Sequence, residues 1–126
     1  MLEAAARAAL DEARRLDRML SNYLPASEWS AVNRSAAQAP VAVSRELFDL
    51  LAACLEYSRQ SDGAFDITVG PLMKVWGFYK GEGVLPRPAD VEAAISRVGY
   101  PDLKTLYMVG NSVFKVRMDV AGSIQY

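Results

Sequence analysis

Hydrophobic positions recur at helical spacing in three segments of the chain. The first segment, residues 2–23, alternates steps of three and four between its apolar or small positions, which are Leu2, Ala6, Ala9, Ala13, Leu16, Leu20 and Tyr23. A second stripe begins after Ser44, a suitable N-cap, and ends at Asp62-Gly63. Its members are Leu47, Leu50, Leu51, Cys54, Leu55 and Ser58. The third segment is residues 88–98, with apolar side chains at Val91, Ala94, Ile95 and Val98. These spacings predict three amphipathic helices.

Two further segments lack this long-range periodicity. Residues 24–43 are rich in Ser, Ala, Asn and Gln between Pro25 and Pro40, which predicts a long irregular connection. Such long loops are uncommon in compact domains unless they are functional. In residues 63–79, apolar and polar positions alternate briefly, so a short strand is one interpretation. Pro71 in that segment suits the first turn of a short helix.

The last part of the chain has the pattern of a β-hairpin. Residues 103–109 and 112–119 flank Gly110-Asn111, a dipeptide suited to the positive φ values of a two-residue turn. The second strand has an apolar face formed by Phe114, Val116 and Met118. The order helix, loop, helix, short strand or turn, helix and hairpin predicts an α+β fold.

Composition and charge exclude several classes of function. A length of 126 residues corresponds to a single domain, residues 1–126. Fourteen Lys and Arg against 15 Asp and Glu give a net charge of −1, which provides no electrostatic footprint for nucleic acid. The absence of His removes His-based catalysis and most zinc sites. The lone Cys54 excludes an internal disulfide, and its place in an apolar stripe favours a core thiol. No stretch is apolar enough to span a membrane, and the first ten residues lack the basic start and separate apolar block of a signal peptide, so we expect neither feature within these residues.

The segment around Asp66 is the first candidate site. It concentrates a carboxylate with glycines, a proline and aromatic rings, namely Gly63, Gly70, Pro71, Phe65 and Trp76. Backbone N–H groups of such a turn could approach an anion, and the carboxylate could accept from a ribose hydroxyl, an adenine amine or a flavin N–H. The alternative is a tight turn in which Asp66 accepts hydrogen bonds from local N–H groups.

Two other candidates have a weaker pattern. Tyr23 falls where the first helix meets the following segment, so its ring could pack on a ligand. Nearby polar residues are Ser21, Asn22, Ser27, Glu28 and Asn33. The alternative is a helix end followed by a polar loop. Asp119, with the Gly122 region, places a carboxylate at a strand end. None of these candidates pairs a nucleophile with a base, and no glycine-rich phosphate motif occurs.

Two blocks of sequence nevertheless form a specific pattern. The first runs from Leu20 to Glu28, with Asn33 five residues on. The second runs from Ser61 to Leu72 and is followed by Trp76-Gly77-Phe78. Both blocks, and the spacing between them, resemble the ApbE family of FAD:protein FMN transferases. The resemblance covers nearly the whole chain, but only about the first half of a family member. It implies an α+β fold with helices packed on an antiparallel sheet, incomplete relative to the full family fold.

This resemblance implies a specific reaction. The family uses Mg²⁺ to split FAD, attaches the FMN half through a phosphoester to a Thr or Ser of a target flavoprotein, and releases AMP. Its members usually work outside the cytoplasmic membrane, which implies the periplasm or cell envelope. Carried over by position, the residues that match the family's FAD contacts are Tyr23, Ala64, Phe65, Asp66, Asp119 and Gln125. Gly122 matches the residue whose carbonyl binds Mg²⁺.

The chain also departs from the family pattern. Ser123 and Ile124 fit the motif after Asp119 poorly, Gln125 replaces a charged residue, and Tyr126 stands where Gly is expected. The family's amino-terminal M-G-T strand and its downstream Mg²⁺ ligands are absent from these residues. We therefore expect the chain alone to be inactive. The alternative is a non-catalytic, truncated homologue that binds flavin weakly or self-associates, and an open sheet edge would favour a homo-oligomer.

Overall fold

Three helices lie where the hydrophobic spacing predicts them. The computed structural model describes residues 1–108 and 113–118. Within these residues the elements in chain order are α1 (Leu2–Leu20), α2 (Glu28–Ser35), β1 (Val41–Val43), α3 (Arg45–Gln60), α4 (Gly70–Val75), α5 (Pro88–Ile95), β2 (Leu103–Met108) and β3 (Val113–Met118), with short 3₁₀ turns at Phe78–Lys80 and Tyr100–Asp102. The three predicted helices correspond to α1, α3 and α5, although α1 and α5 each end three residues before the predicted boundary, at Leu20 and Ile95. Pro71 occupies the first turn of α4 as expected. None of the helices in the described ranges is long and apolar enough to cross a membrane.

Local signals at both ends explain α3. The Ser44 side chain accepts a hydrogen bond from the Leu47 backbone N–H at 3.3 Å, which caps the amino terminus. At the other end, Asp62 and Gly63 adopt positive φ values of 51° and 79°, and the Gly63 N–H donates to the Ser58 carbonyl at 2.8 Å. Both boundaries of this helix are therefore confirmed.

The segment between α1 and α3 is ordered, and the prediction of a long irregular connection is wrong. It contains α2 and β1. The Ser27 side chain caps α2 by accepting from the Ser30 N–H at 3.0 Å. Trp29, Val32 and Ala36 are all buried, at spacings of three and four residues. The helical signal was thus present, but it extends over only eight residues and is followed by a strand too short to show alternation.

The sheet is antiparallel, with strand order β1-β3-β2. The hairpin is confirmed, with Leu103 opposite Met118 and Met108 opposite Val113. Its turn, including Gly110-Asn111, lies outside the described residues. The strand β1 adds to the other side of β3, with Val41 opposite Val116. Together these elements make the predicted α+β fold, with helices against an antiparallel sheet. The possible strand at residues 65–69 does not form.

The core lies between the sheet, α2, α3 and the last turns of α1. Its buried hydrophobic members are Met19, Trp29, Val32, Ala36, Leu47, Leu51, Ile67, Leu103, Val116 and Met118. Only the carboxyl-terminal part of α1 contributes, because Leu2 is 89% exposed and Leu10 is 58% exposed. The apolar stripe predicted to run the length of α1 is therefore buried at one end only. Near that end, Arg15 donates to both carboxylate oxygens of Glu46 at 2.8 Å and links α1 to α3.

Candidate functional site

The Asp66 carboxylate holds together two segments that are distant in sequence. Its Oδ1 accepts from the Thr68 backbone N–H at 2.8 Å and from the Thr68 hydroxyl at 2.6 Å. Its Oδ2 accepts from the Tyr100 N–H at 2.9 Å. The Thr68 hydroxyl in turn accepts from the Gly99 N–H at 2.8 Å. We call residues 63–70 the Asp66 turn, since this carboxylate fixes their path and ties them to the segment that follows α5.

These hydrogen bonds bear on both interpretations of Asp66. The bonds to Thr68 are those of a local Asx turn, as in the alternative that treats Asp66 as a turn residue. They also explain why no strand forms here. A carboxylate oxygen has two lone pairs, so Oδ1 is saturated by Thr68, whereas Oδ2 retains one acceptor direction beyond its bond to Tyr100. By this count of lone pairs, Asp66 has the capacity to accept one further hydrogen bond.

Phe65 and Asp66 border an apolar groove of about 390 Å³. Its other lining residues are Trp29, Leu50, Cys54, Ile67 and Val69. The Phe65 ring is 42% exposed and meets the Tyr57 ring edge-on, with centroids 6.4 Å apart. We call this cavity the Phe65 groove. Its volume falls in the range of small-molecule sites, and its apolar walls with one carboxylate suit a planar ring that carries an N–H or O–H group.

The thiol of Cys54 lies in the Phe65 groove but is not set up as a nucleophile. Burial raises the pKa of the Cys54 thiol above its ordinary value. The reactive form of cysteine is the thiolate, which a raised pKa disfavours at neutral pH. The groove is therefore suited to binding and not to covalent chemistry at this sulfur.

Tyr23 stands on a loop that buried serines hold in place. The Ser21 carbonyl accepts from the Ser27 hydroxyl at 2.7 Å and from the Ser30 hydroxyl at 3.2 Å. The Tyr23 ring itself is 67% exposed, and its one ring neighbour in the described part of the chain is Tyr79, edge-on at 6.3 Å. A large aromatic surface on a fixed loop is available for a ligand ring to pack against.

The predicted site residues occupy separate positions. Phe65 and Asp66 share the Phe65 groove, whereas Tyr23 is not among the groove's lining residues. Ala64 is exposed, in the turn that follows α3. The remaining predicted contacts, Asp119, Gly122 and Gln125, lie outside the described residues. Of the polar candidates near Tyr23, Glu28 has a structural role, since its carboxylate accepts from the Ser44 N–H at 2.7 Å.

Sequence reasoning allowed for local partners of Asp66 but missed its distant partner, Tyr100. The spacing Asp66-x-Thr68 is itself a turn signal, because an Asp side chain commonly bonds the backbone two residues on. No sequence signal marks Tyr100, which lies 34 positions away from Asp66. Nor do the described residues bring together a group of three or more His, Cys, Asp or Glu side chains that could hold a metal ion. The Mg²⁺ expectation therefore rests on Gly122 and not on these side chains.

Comparison with known proteins identifies the family. The model of the ApbE family matches residues 2–124. The chain is 36% identical over 97 residues to the FAD:protein FMN transferase of Salmonella typhimurium. The aligned region covers 75% of this chain and 28% of that protein. It is 29% identical over 113 residues to the enzyme of the same name from Chlamydia muridarum, covering 87% of this chain and 36% of that protein.

The fold agrees with this assignment. A crystal structure of the Pseudomonas stutzeri flavinyl transferase ApbE, in its apo form, superposes with a TM-score of 0.84 and 27% sequence identity. The superposition covers 100% of this chain and 41% of that one. The chain thus spans well under half the length of these relatives. By the extent of the family match and by its fold, the chain belongs to the ApbE family.

Proposed function

We propose that these residues form the amino-terminal portion of an FAD:protein FMN transferase and supply part of its FAD site. The observation that carries the proposal is the family match over residues 2–124, to relatives named for this activity. The structure is consistent with it, because an apolar groove with one available carboxylate lone pair accompanies the sequence block that matches the family's FAD-contacting turn.

In this proposal each FAD contact has a physical task. The Tyr23 ring packs against a ring of FAD, and the Phe65 groove receives a planar portion of the ligand. Asp66 accepts a hydrogen bond from a ligand N–H or hydroxyl through the remaining lone pair of Oδ2. Ala64 contributes backbone contacts beside Phe65. Asp119 and Gln125 supply further contacts to FAD. The Gly122 carbonyl is a ligand of Mg²⁺.

The proposed reaction transfers FMN to a Thr or Ser of a target flavoprotein. The acceptor hydroxyl oxygen bonds to the phosphorus on the FMN side of the FAD pyrophosphate. The bond from that phosphorus to the bridging oxygen breaks, and AMP leaves with the electron pair while the hydroxyl proton is released. Mg²⁺ would neutralise the charge that develops on the phosphate oxygens. It requires near-octahedral oxygen coordination, and residues 1–108 and 113–118 contain no group of three or more His, Cys, Asp or Glu side chains that could supply it.

We further propose that a polypeptide of these 126 residues does not catalyse the transfer by itself. The chain corresponds to 28% of the Salmonella relative, so most of that enzyme has no counterpart in it. Incubation with FAD, Mg²⁺ and a flavoprotein that carries the acceptor Thr or Ser should leave the acceptor unmodified. Mass spectrometry that detects covalent flavin on the acceptor would contradict this part of the proposal.

A chimera tests the family activity directly. Residues 1–126 would replace the matching part of the Salmonella enzyme, and acceptor flavinylation would be followed by mass spectrometry. We expect transfer by the chimera and a large loss when Asp66→Ala is added. Asp17→Ala, on the exposed face of α1, is the matched control and should leave the rate unchanged. A chimera that folds by circular dichroism, binds FAD and still transfers nothing would count against the proposal.

Binding of FAD to the chain alone separates the two interpretations of Asp66. Because ligand affinity depends on burying most of the ligand surface, part of a site should bind FAD no more tightly than in the high micromolar range. Titration of FAD fluorescence would compare the wild type with Asp66→Ala, per mole of folded protein. Weaker binding to the folded variant indicates a ligand contact. A variant that is less stable but binds FAD equally well when folded indicates a turn residue only, and submicromolar binding by the wild type would indicate a more complete site.

A further inference from the structure

A second pocket, of about 190 Å³, lies beside Tyr79, the ring neighbour of Tyr23. Its walls come from the loop after α1, from α2, from α4 and from the 3₁₀ turn that follows α4. The lining residues are Asn22, Ser30, Asn33, Arg34, Lys74 and Tyr79. We call it the cationic pocket. It is smaller than the sites that enclose whole drug-sized ligands, so it is suited to a single chemical group.

Two positive charges line the cationic pocket without a carboxylate among its lining residues. They belong to Arg34 and Lys74, and neither forms an ion pair with an acid within residues 1–108 and 113–118. The Arg34 guanidinium is held in place by a 2.6 Å hydrogen bond from Nη1 to the Pro25 carbonyl. The Lys74 ammonium lies 5.9 Å from the centroid of the Tyr79 ring. Both cations are thus oriented by neutral partners, and their charge is available to an anion.

An amide group at the pocket wall points to the same kind of ligand. The Asn22 side-chain oxygen accepts from the Asn33 amide at 3.3 Å. The Asn22 amide nitrogen is buried and has no hydrogen-bond partner in the described part of the chain. A buried donor without an acceptor is costly, because it has lost its hydrogen bonds to water. An acceptor oxygen in the pocket would offset that cost.

We propose that the cationic pocket binds a phosphate group. Residues bearing a guanidinium, an ammonium and an unsatisfied amide N–H line a space that suits one small anion. Arg and Lys are the side chains that most often bind phosphate oxygens, through short charge-assisted hydrogen bonds. A phosphate also offers more acceptor oxygens to these three kinds of donor than a carboxylate does. The inference goes beyond the proposed function, since none of the six lining residues belongs to the predicted FAD contacts.

Titration with inorganic phosphate tests the pocket. Side-chain amide signals of Asn22 and Asn33 would be followed by ¹H–¹⁵N NMR at constant ionic strength. We expect saturable shifts of these signals, and at least about tenfold weaker binding in Lys74→Gln and in Arg34→Gln. Arg7→Gln, which removes an exposed charge from α1, is the matched control and should bind like the wild type.

Two results would overturn the proposal. One is the absence of a saturable shift in the wild type while its spectrum shows a folded protein. The other is equal weakening by Arg7→Gln and Lys74→Gln, which would indicate general charge screening without a site.

Riboflavin and FMN, which differ by one phosphate, identify the source of the group. If the phosphate belongs to a flavin nucleotide, Lys74→Gln weakens FMN binding by about tenfold and leaves riboflavin binding unchanged. If it belongs to another molecule, the same variant weakens inorganic phosphate and AMP but not FMN. Phosphate binding without any flavin binding would contradict the proposed function and support the pocket. Flavin binding that depends on Tyr23, without any shift on addition of inorganic phosphate, would support the proposed function and contradict the phosphate pocket.

Discussion

Replacing Asp66 by Ala should lower the free energy of unfolding by about 3 kcal/mol. The substitution removes three accepted hydrogen bonds, two from Thr68 and one from Tyr100. Thr68 is only 1% exposed, so water cannot readily replace the lost partner of its N–H. The N–H of Tyr100, which is partly exposed, can regain a water molecule. The Thr68 N–H becomes an unsatisfied buried donor, which costs about 1–3 kcal/mol. The lost bonds from the Thr68 hydroxyl and the Tyr100 N–H add to this, but their effects overlap, so we expect a total of about 3 kcal/mol.

Two related variants sharpen the test. Asp66→Asn keeps a neutral acceptor toward Thr68 and loses the bond from Tyr100, so it should cost about half as much. Thr68→Val keeps the shape of the side chain but removes the hydroxyl that donates to Asp66 and accepts from the Gly99 N–H. It should cost about 2 kcal/mol. Because the two side chains are hydrogen-bonded to each other, their effects should not be additive. The double variant Asp66→Ala/Thr68→Val should lose about 1 kcal/mol less stability than the sum of the two single losses.

Urea unfolding followed by circular dichroism measures these differences. The midpoint should fall in the order wild type, Asp66→Asn, Asp66→Ala, with the same denaturant slope for all three proteins. An Asp66→Ala variant within about 0.5 kcal/mol of the wild type would refute the reasoning. It would mean that water satisfies the Thr68 N–H, or that the Asp66 turn does not hold the segment after α5.

Three further predictions concern the rest of the fold. Hydrogen bonds from Arg15 hold the pKa of the Glu12 and Glu46 carboxyls below their ordinary 4.5. The stabilisation of the folded state by these ion pairs is therefore complete above about pH 4.5 and is lost as the pH falls through the lowered pKa values. Arg15→Gln should therefore flatten the acid side of the unfolding free energy measured against pH, and an unchanged profile would argue against the link. Leu47→Ala, at a position 0% exposed, should cost about 2–5 kcal/mol in chemical denaturation. A similar loss for Leu50→Ala, at 39% exposure, would show that burial is not the cause. Since β1 and β2 are the two edges of the sheet formed by residues 1–108 and 113–118, light scattering should detect concentration-dependent self-association, and a strict monomer at high micromolar concentration would be the contrary result.

Elements defined by neighbouring residues could be predicted from the sequence. The helix α3 carries its own start at Ser44, its apolar spacing and its end at Asp62-Gly63, so all three signals agree. The hairpin follows from alternation on either side of a turn dipeptide. The Asp66 segment likewise stood out as a turn or site because glycines, a proline and a carboxylate adjoin one another in sequence. In each case the signals that allow the prediction lie close together in the sequence.

Features that depend on distant partners were decided by the tertiary structure. Three residues cannot show a strand pattern, and β1 exists because its backbone pairs with β3, more than 70 positions later. The apolar stripe of α1 is buried only where Met19 reaches the core, since the helix continues beyond the elements that could cover it. The second oxygen of Asp66 finds the Tyr100 N–H, and the cationic pocket joins side chains from four separate segments. Periodicity and capping determine which segments form helices or strands and which of their faces are apolar. Only the packing of the whole chain determines which element covers each apolar face and which polar groups meet between elements.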